Sequence, residues 1–388
     1  MIVFCRALVT LTLAITGSLH CRGQIVNHSS TLQATADYYD QITSRLDMSS
    51  SPNAAALNQF FSLMPKGGDI HHHYSGAIYA ETFLDWVAKE GSWINRESLQ
   101  IETSKSPKSL TVEEIRKEDP LYRELLSRWS DRDFRNFFHD EMAPDEQFFQ
   151  TFNYFVGLAS RHIPAGLHQL KQRAKQENLQ YLETMLSEVD FEYSDPALDR
   201  LLLDLQADHQ QSAILSQYET CRKKLDANPR FKQAINKLVK DVGRYHQGID
   251  DDDFLMRYQT YAYRDSPPST VFASLYAGFS AASQTDLIVG VNILGPENGI
   301  IAIRDYRLHM LMFHLLHQKF PEVRISMHAG ELTLGMVRPE NLTFHITEAI
   351  RVAGAQRIGH GVDIVYETDS LTLLREMASK KIAVEINL

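Results

Sequence analysis

Alternating apolar and polar segments predict a regular series of strands and helices from residue 66 onward. Short runs such as "LQYLETML" and "DLIVGVNILG" predict strands, whereas "RDYRLHMLMFHLLHQKF" has the apolar spacing of a helix. Seven strands are predicted in this way, in the segments 67–76, 179–186, 254–263, 286–295, 323–331, 356–361 and 382–388. At least one predicted helix separates each strand from the next.

Strict alternation of strands and helices is typical of a parallel sheet whose strands are joined by right-handed crossovers. Seven units are one short of a (β/α)8 TIM-type barrel, so we predict an α/β fold of this type with about seven of its eight strands present. A doubly wound open sheet is the rival fold, but no Gly-rich dinucleotide fingerprint opens any predicted helix. The barrel is expected to occupy residues 64–388.

Three segments stand outside this alternation. Residues 1–23 combine Arg6 with a short apolar run and then small residues, which predicts a signal peptide and a secreted or periplasmic protein. The run is too short for a membrane span, and an uncleaved N-terminal anchor is the alternative. Residues 24–63 form a leader with a helical pattern at its end, and residues 91–143 form a polar insertion in the barrel.

Charge and cysteine content narrow the possible partners. The chain has 39 Lys and Arg against 49 Asp and Glu, a formal net charge of -10. Sequence-independent binding of nucleic acid needs clustered basic residues, so no nucleic-acid partner is expected. After removal of the signal peptide Cys221 is the only cysteine, which excludes an intramolecular disulfide. We also expect no membrane attachment of the mature chain.

The first predicted strand ends in three consecutive histidines within "GGDIHHHYSG". Successive side chains of a strand point to opposite faces, so His71 and His73 share one face and His72 points away. Two imidazoles aimed at one point are suited to a metal such as zinc, although the H-x-H pattern alone is also found in proteins without one. Three other histidines lie on a helix rich in Met and Leu and are expected to pack or to face solvent: His309, His314 and His317.

Further reactive residues also lie where predicted strands end. His328 ends the fifth strand in "SMHAGE", and Glu331 follows it in the loop. His360 ends the sixth strand in "RIGHG", between Gly359 and Gly361, which allow close approach of the backbone. Because the carboxyl ends of barrel strands form one rim that carries the chemistry, these residues are expected to lie with the H-x-H pair.

Four motifs together resemble the adenosine deaminase family of metal-dependent hydrolases. "PKGGDIHHHYSGA", "NILGPE", "HAGE" and "RIGHG" follow one another in the order and spacing of that family, and especially of its secreted or periplasmic bacterial members. The resemblance extends over about residues 64–388 and is weaker in the insertion. It implies hydrolytic deamination of adenosine, and of 2'-deoxyadenosine, to the inosine product and ammonia, with one Zn²⁺ per chain.

The resemblance also implies a role for each matching residue. These roles are metal binding for His71, His73 and His328, proton donation to the purine ring for Glu331, orientation and deprotonation of the attacking water for His360, and contact with the nucleoside for His73, Ser75 and Gly295. The family usually has an aspartate that binds the ribose hydroxyl at the position of Ser75. Recognition of the sugar therefore departs from the family pattern.

One implied ligand has no counterpart in these 388 residues. The family's fourth protein ligand is an aspartate at the end of an eighth strand, and no aspartate follows Asp369. We therefore expect the gene to continue past Leu388 and the chain as it stands to be truncated at its C-terminus. Glu385 is expected to hydrogen-bond His360. Two alternatives remain open, a deaminase of another 6-aminopurine and a secreted nucleoside-binding protein without turnover.

Overall fold

The computed structural model describes residues 28–43, 54–132 and 134–387. The chain divides into two units, Met1–Met64 and Pro65–Leu388. The predicted signal peptide lies outside the described residues, and its prediction remains untested.

The described part of the first unit consists of two helices, α1 (His28–Thr43) and α2 (Ala54–Leu63). The rings of Tyr39 and Phe60 lie 5.5 Å apart and connect them. The helix predicted at the end of the leader is thus confirmed. None of the helices in the described ranges combines the length and apolar character that a membrane span requires.

The second unit alternates strands with one or more helices, except in the insertion, where three short strands follow one another. Its strands are β1 (Gly67–His73), β2 (Trp93–Asn95), β3 (Ile101–Glu102), β4 (Ser109–Leu110), β5 (Leu179–Met185), β6 (Leu255–Tyr263), β7 (Ile288–Leu294), β8 (Ser326–Ala329), β9 (Arg357–His360) and β10 (Ala383–Glu385). Its longer helices are α3 (Ala80–Glu90), α4 (Val112–Lys117), α5 (Asp119–Trp129), α6 (Pro144–Arg161), α7 (Ile163–Gln176), α8 (Pro196–Ala207), α9 (Gln211–Asp226), α10 (Pro229–Tyr245), α11 (Pro268–Ala282), α12 (Ile300–Lys319) and α13 (Ser370–Lys380). Shorter helical segments lie at Pro339–Leu342, His345–Glu348, Ala349–Ala353 and Ile364–Tyr366.

Seven of the strands pair in parallel and in the order of the chain. One sheet has the order β1-β5-β6-β7, and a second has the order β10-β9-β8. A parallel bridge between Val291 and Ile325 joins β7 to the segment that leads into β8. A doubly wound sheet would reverse the strand order at its centre, whereas a barrel keeps chain order. The seven predicted strands and their barrel-type order are therefore confirmed.

The sheet curves until side chains of its first and last strands meet in the interior. His71 Nδ1 on β1 lies 2.7 Å from Glu385 Oε2 on β10. Arg357 on β9 donates through Nη2 to the carbonyl oxygen of Ile70 at 2.7 Å. The carboxyl ends of the strands consequently face one common rim, which positions the residues at their ends.

Apolar helices cover the outside of this sheet. Helix α11 packs on β6 and β7, and an added Cβ at Gly278 would lie 3.0 Å from Thr260 Cγ2, so the glycine permits close approach. Phe279 of α11 and Phe313 of α12 are fully buried with their rings 5.9 Å apart. Each such ring stabilises the fold by about 1.5–3 kcal/mol through burial. His309 is also buried in α12, where burial lowers its pKa to about 3, as expected of a packing residue.

The insertion has the two short helices that its sequence pattern predicts, and also a small sheet that it did not predict. A three-stranded antiparallel sheet with the order β3-β2-β4 lies beside α4 and α5. Its apolar residues, including Ile94, Leu99 and Trp129, are buried, and Trp129 Nε1 donates to the carbonyl oxygen of Leu99 at 3.0 Å. The strands are two or three residues long, too short to show a periodic pattern in the sequence.

Candidate metal centre and catalytic site

Four histidines from three strands converge at the carboxyl rim of the sheet. The ring centroid of His71 lies 5.4 Å from that of His73, 4.5 Å from that of His328 and 4.9 Å from that of His360. His72 points the other way, as strand alternation requires, and its Nδ1 lies 2.9 Å from Thr184 Oγ1. The structure thus brings together the predicted metal-binding and water-orienting histidines.

The geometry of His73 and His328 fits a shared metal ion. Their Nε2 atoms lie 3.2 Å apart. Two nitrogens bound to one tetrahedral zinc at about 2.0–2.1 Å are roughly 3.3–3.4 Å apart. Burial is the main factor that lowers the pKa of His73 to about 3 and that of His328 well below its ordinary value. Both rings are therefore neutral, the form that binds metals.

The predicted ligand set is His71, His73 and His328, and a second set of three histidines overlaps it. His71, His328 and His360 offer ring nitrogens that all lie within 4.8 Å of one another. The two sets share His71 and His328 and differ in whether His73 or His360 completes them. The separation of 3.2 Å favours His73, which is also the ligand implied by the family motif.

His360 is held in an unusual backbone conformation. Its φ of 70° lies in the left-handed region, which residues other than glycine rarely adopt and which is often found at functional sites. Its Nε2 lies 3.3 Å from Glu331 Oε2. Burial is the main factor that lowers the pKa of His360 to about 4. The ring is thus a neutral acceptor beside a carboxyl group.

The partner expected for Glu385 is wrong. Glu385 contacts His71 rather than His360, whose Nδ1 instead lies 3.3 Å from Asn387 Nδ2. The strand register explains this difference, because Glu385 pairs with Gly359, one residue before His360. Its side chain therefore enters the interior beside the ring of His71.

Glu331 has the environment of a proton donor. Its Oε1 lies 3.8 Å from Arg264 Nη1, and its side chain is 20% exposed, which leaves it accessible to a ligand. Burial raises its pKa to about 7; Arg264 opposes that change and the charge of Glu297 adds to it. A carboxyl group with a pKa near neutrality can keep its proton and transfer it at physiological pH.

Glu297, in the "LGPE" segment, is a site residue that sequence reasoning missed. It is fully buried and accepts hydrogen bonds from the backbone N–H groups of Gly330 at 3.1 Å and Glu331 at 2.7 Å. Burial alone raises its pKa, but His345, 3.0 Å away, and Arg264 bring the pKa down to about 2. The ionised carboxylate therefore fixes the loop that carries Glu331. The "LGPE" motif was the only sequence signal for Glu297, because its partners Gly330 and His345 lie far from it in the chain.

The two remaining predicted residues lie in turns at the same rim. Ser75 is half-buried in the turn after β1, and Gly295 follows β7 directly. Gly295 has a φ of 105°, so its conformation requires glycine. An added Cβ there would meet Arg264 Cγ at 3.6 Å, and Arg264 Nη2 donates to the carbonyl oxygen of His328 at 2.9 Å. Arg264 thus connects the Gly295 turn to the histidine cluster.

Comparisons with known proteins give matches among solved structures alone. No family model matches the chain, and no curated protein matches it. Adenine deaminase from Arthrobacter aurescens is 12% identical, with a TM-score of 0.43 over 83% of this chain and 71% of that one. An amidohydrolase from Burkholderia ambifaria with bound Zn is 14% identical, with a TM-score of 0.49 over 87% and 68%. The N6-methyl-AMP deaminase from Arabidopsis thaliana is 13% identical, with a TM-score of 0.44 over 82% and 70%.

These are two deaminases and an amidohydrolase. All three TM-scores lie below 0.5, so the reaction of this chain is inferred from its own residues and their geometry.

A buried carboxyl group beside the site makes stability depend on pH. Asp363 is 1% exposed, and neither of its oxygens has a hydrogen-bond partner among the described residues. Burial, with the charges of Glu297 and Glu367, raises its pKa to about 8. The folded chain thus holds this proton more tightly than the unfolded chain, whose value is near 3.8. The resulting stabilisation is complete below about pH 4 and is lost as the pH rises through about 8.

We therefore expect Asp363→Asn to make the chain more stable at pH 8, by about 1–3 kcal/mol, because the variant avoids a buried unpaired charge. The measurement is urea unfolding at pH 5, 6.5 and 8. The matched control is Asp369→Asn, which alters an exposed carboxyl group and should leave the pH slope unchanged. A variant with the wild-type slope would show that Asp363 ionises in the folded chain without cost.

Proposed function

We propose that this protein is a zinc-dependent deaminase of the adenosine deaminase family that hydrolyses adenosine, and 2'-deoxyadenosine, outside the cytoplasm. The observation that carries the proposal is the convergence of His73 Nε2 and His328 Nε2 at 3.2 Å, with the carboxyl group of Glu331 3.3 Å from His360 at the same rim. Burial raises the pKa of that carboxyl group. Neutral imidazoles bind zinc, and a protonated carboxyl group serves as a general acid. Both requirements of a hydrolytic deaminase are met by neighbouring residues.

In this proposal, each residue of the site has one task. His71, His73 and His328 would hold the metal, which supplies an activated water by lowering the pKa of that water from 15.7 to about 7. His360 accepts a proton from this water as the water oxygen attacks the purine carbon that bears the amino group. Glu331 donates a proton to the adjacent ring nitrogen. The carbon–nitrogen bond then breaks. The amino group takes the proton from His360 and leaves as ammonia, while the proton of the new hydroxyl group returns to Glu331 as the carbonyl forms.

One cavity near β1 has the volume of a small-molecule binding site. A cavity of about 620 Å³ lies beside the turn after β1, and binding sites for small molecules are about 300–1,000 Å³. Aromatic side chains of Trp129, Phe152 and Phe155 contribute to its walls. Gly76 lines the cavity, and an added Cβ there would lie 3.7 Å from His73 Cβ. The cavity thus lies near β1, but its lining includes none of the proposed metal-binding or catalytic residues.

An assay of ammonia release by the full-length protein tests this function. The panel contains adenosine, 2'-deoxyadenosine, adenine and AMP, each with the zinc-loaded and the chelated protein. We expect release from the two nucleosides, loss of activity on chelation and recovery on addition of zinc. Preference for adenine or AMP would correct the substrate and retain the reaction type. A protein that binds nucleoside and zinc but releases no ammonia would contradict the proposed enzyme.

A further inference from the structure

The orientation of the His328 ring is set by a buried asparagine on β7. Asn292 Oδ1 accepts hydrogen bonds from the backbone N–H groups of Ile293 at 2.8 Å and His328 at 3.1 Å, so this atom must be the amide oxygen. The same oxygen lies 2.9 Å from His328 Nδ1. An oxygen acceptor requires the N–H form of Nδ1. In the neutral ring, Nε2 then has the lone pair, and it points to His73 Nε2.

His71 is oriented in the same way by a carboxylate on β10. Glu385 Oε2 lies 2.7 Å from His71 Nδ1, while Oε1 accepts from Ser326 Oγ at 3.0 Å and from Arg357 Nε. An ionised carboxylate can only accept hydrogen bonds, so His71 carries a proton on Nδ1, and in the neutral ring Nε2 then has the lone pair. Gly359 leaves the ring little room, because an added Cβ would lie 2.7 Å from His71 Cε1.

One continuous hydrogen-bonded chain joins these two orienting residues across the interior. Asn292 Nδ2 donates to Gln259 Oε1 at 2.9 Å, and Gln259 Nε2 donates to Glu183 Oε1 at 2.6 Å. Arg357 donates through Nη1 to the same oxygen at 2.6 Å and through Nε to Glu385. Since Arg357 lies between two carboxylates, it holds Glu385 in position and offsets part of its charge.

We propose that Glu385 and Asn292 are positioning residues that hold His71 and His328 as the Nδ1–H tautomers and aim both Nε2 atoms at one metal ion. This inference rests on the proposed function, because it assigns the second layer of that same metal site. Residues that hydrogen-bond to ligand histidines commonly change metal affinity by about 10–100-fold when they are replaced. The chain of contacts also explains why polar residues occupy the interior of this sheet.

Replacement of Glu385 by glutamine tests the inference. Arg357 and Ser326 require the amide oxygen of the new side chain, so its NH₂ group would face His71 Nδ1. That arrangement favours the opposite tautomer, with the proton on Nε2, where it blocks metal binding. We expect Glu385→Gln to lower zinc affinity about 10–100-fold, measured by competition with a chelator on the full-length protein. Nitrogen NMR of the metal-free protein should show His71 moving from the Nδ1–H to the Nε2–H form.

The matched control is Glu367→Gln, which removes an equally buried carboxylate, 4% exposed like Glu385. Glu367 accepts hydrogen bonds from the backbone N–H of Ile346 and the hydroxyl group of Thr347 and contacts no histidine of the site, so zinc affinity and the His71 tautomer should not change. Equal losses in the two variants would overturn the positioning role, as would wild-type affinity and tautomer in Glu385→Gln. If the wild-type protein itself bound no zinc, the proposed function would fail rather than this inference alone.

Discussion

Replacement of Glu331 by glutamine is expected to lower kcat for deamination by about 10²–10⁴-fold while one metal ion per chain remains bound. Glutamine has nearly the same size as glutamate but cannot give up a proton to the purine ring. Glu331 lies in the loop after β8 and is not a proposed metal ligand, so its replacement should not remove the metal. Steady-state kinetics with adenosine and metal analysis of the same preparation measure the two quantities.

Glu340→Gln is the matched control for this experiment. Glu340 follows in the same connection between β8 and β9 and is exposed, so its replacement should leave kcat unchanged. A Glu331→Gln variant that kept more than a tenth of the wild-type kcat would remove the general-acid role. Loss of the metal from that variant would instead show that Glu331 stabilises the histidine cluster.

Replacement of Gly359 by alanine is expected to weaken metal binding at least about tenfold and to destabilise the fold by about 1–3 kcal/mol. The added Cβ would lie 2.7 Å from His71 Cε1 and 3.0 Å from His71 Nδ1, so the ring must move. Because Nδ1 is also held by Glu385, that movement breaks the hydrogen bond that orients the ring. Zinc titration and urea unfolding measure the two effects.

Gly290→Ala provides a strand glycine for comparison. An added Cβ there would meet Arg324 O at 3.6 Å and Gln259 Cγ at 3.7 Å, which are ordinary contacts. This variant should bind zinc like the wild type. Unchanged zinc affinity in Gly359→Ala would show that the position of the His71 ring is not critical for the metal.

Much of the site follows from local sequence rules. The alternation of side chains in a strand was enough to separate His71 and His73 from His72, which contacts Thr184 instead. The position of His328 and His360 at strand ends was enough to place them at one rim, since all seven strands run in parallel. These predictions depend only on the neighbours of each residue and on the order of the strands.

The residues that support the site could not be predicted in the same way. Glu297 holds a loop 33 residues later in the chain, and Asn292 orients a histidine 36 residues away. Neither contact leaves a periodic signal. Glu385 was assigned to the wrong histidine because its partner depends on the register between β9 and β10, and a shift of one residue changes the level at which a side chain enters the interior.

The most direct test is a crystal structure of the full-length, zinc-loaded protein, with the metal located by anomalous scattering at the zinc edge. We predict one ion within about 2.0–2.1 Å of the Nε2 atoms of His71, His73 and His328. His360 should lie beside this ion without binding it. An ion held by His71, His328 and His360 would reverse the roles of His73 and His360. A zinc-free cluster in protein that still deaminates adenosine would contradict the account as a whole.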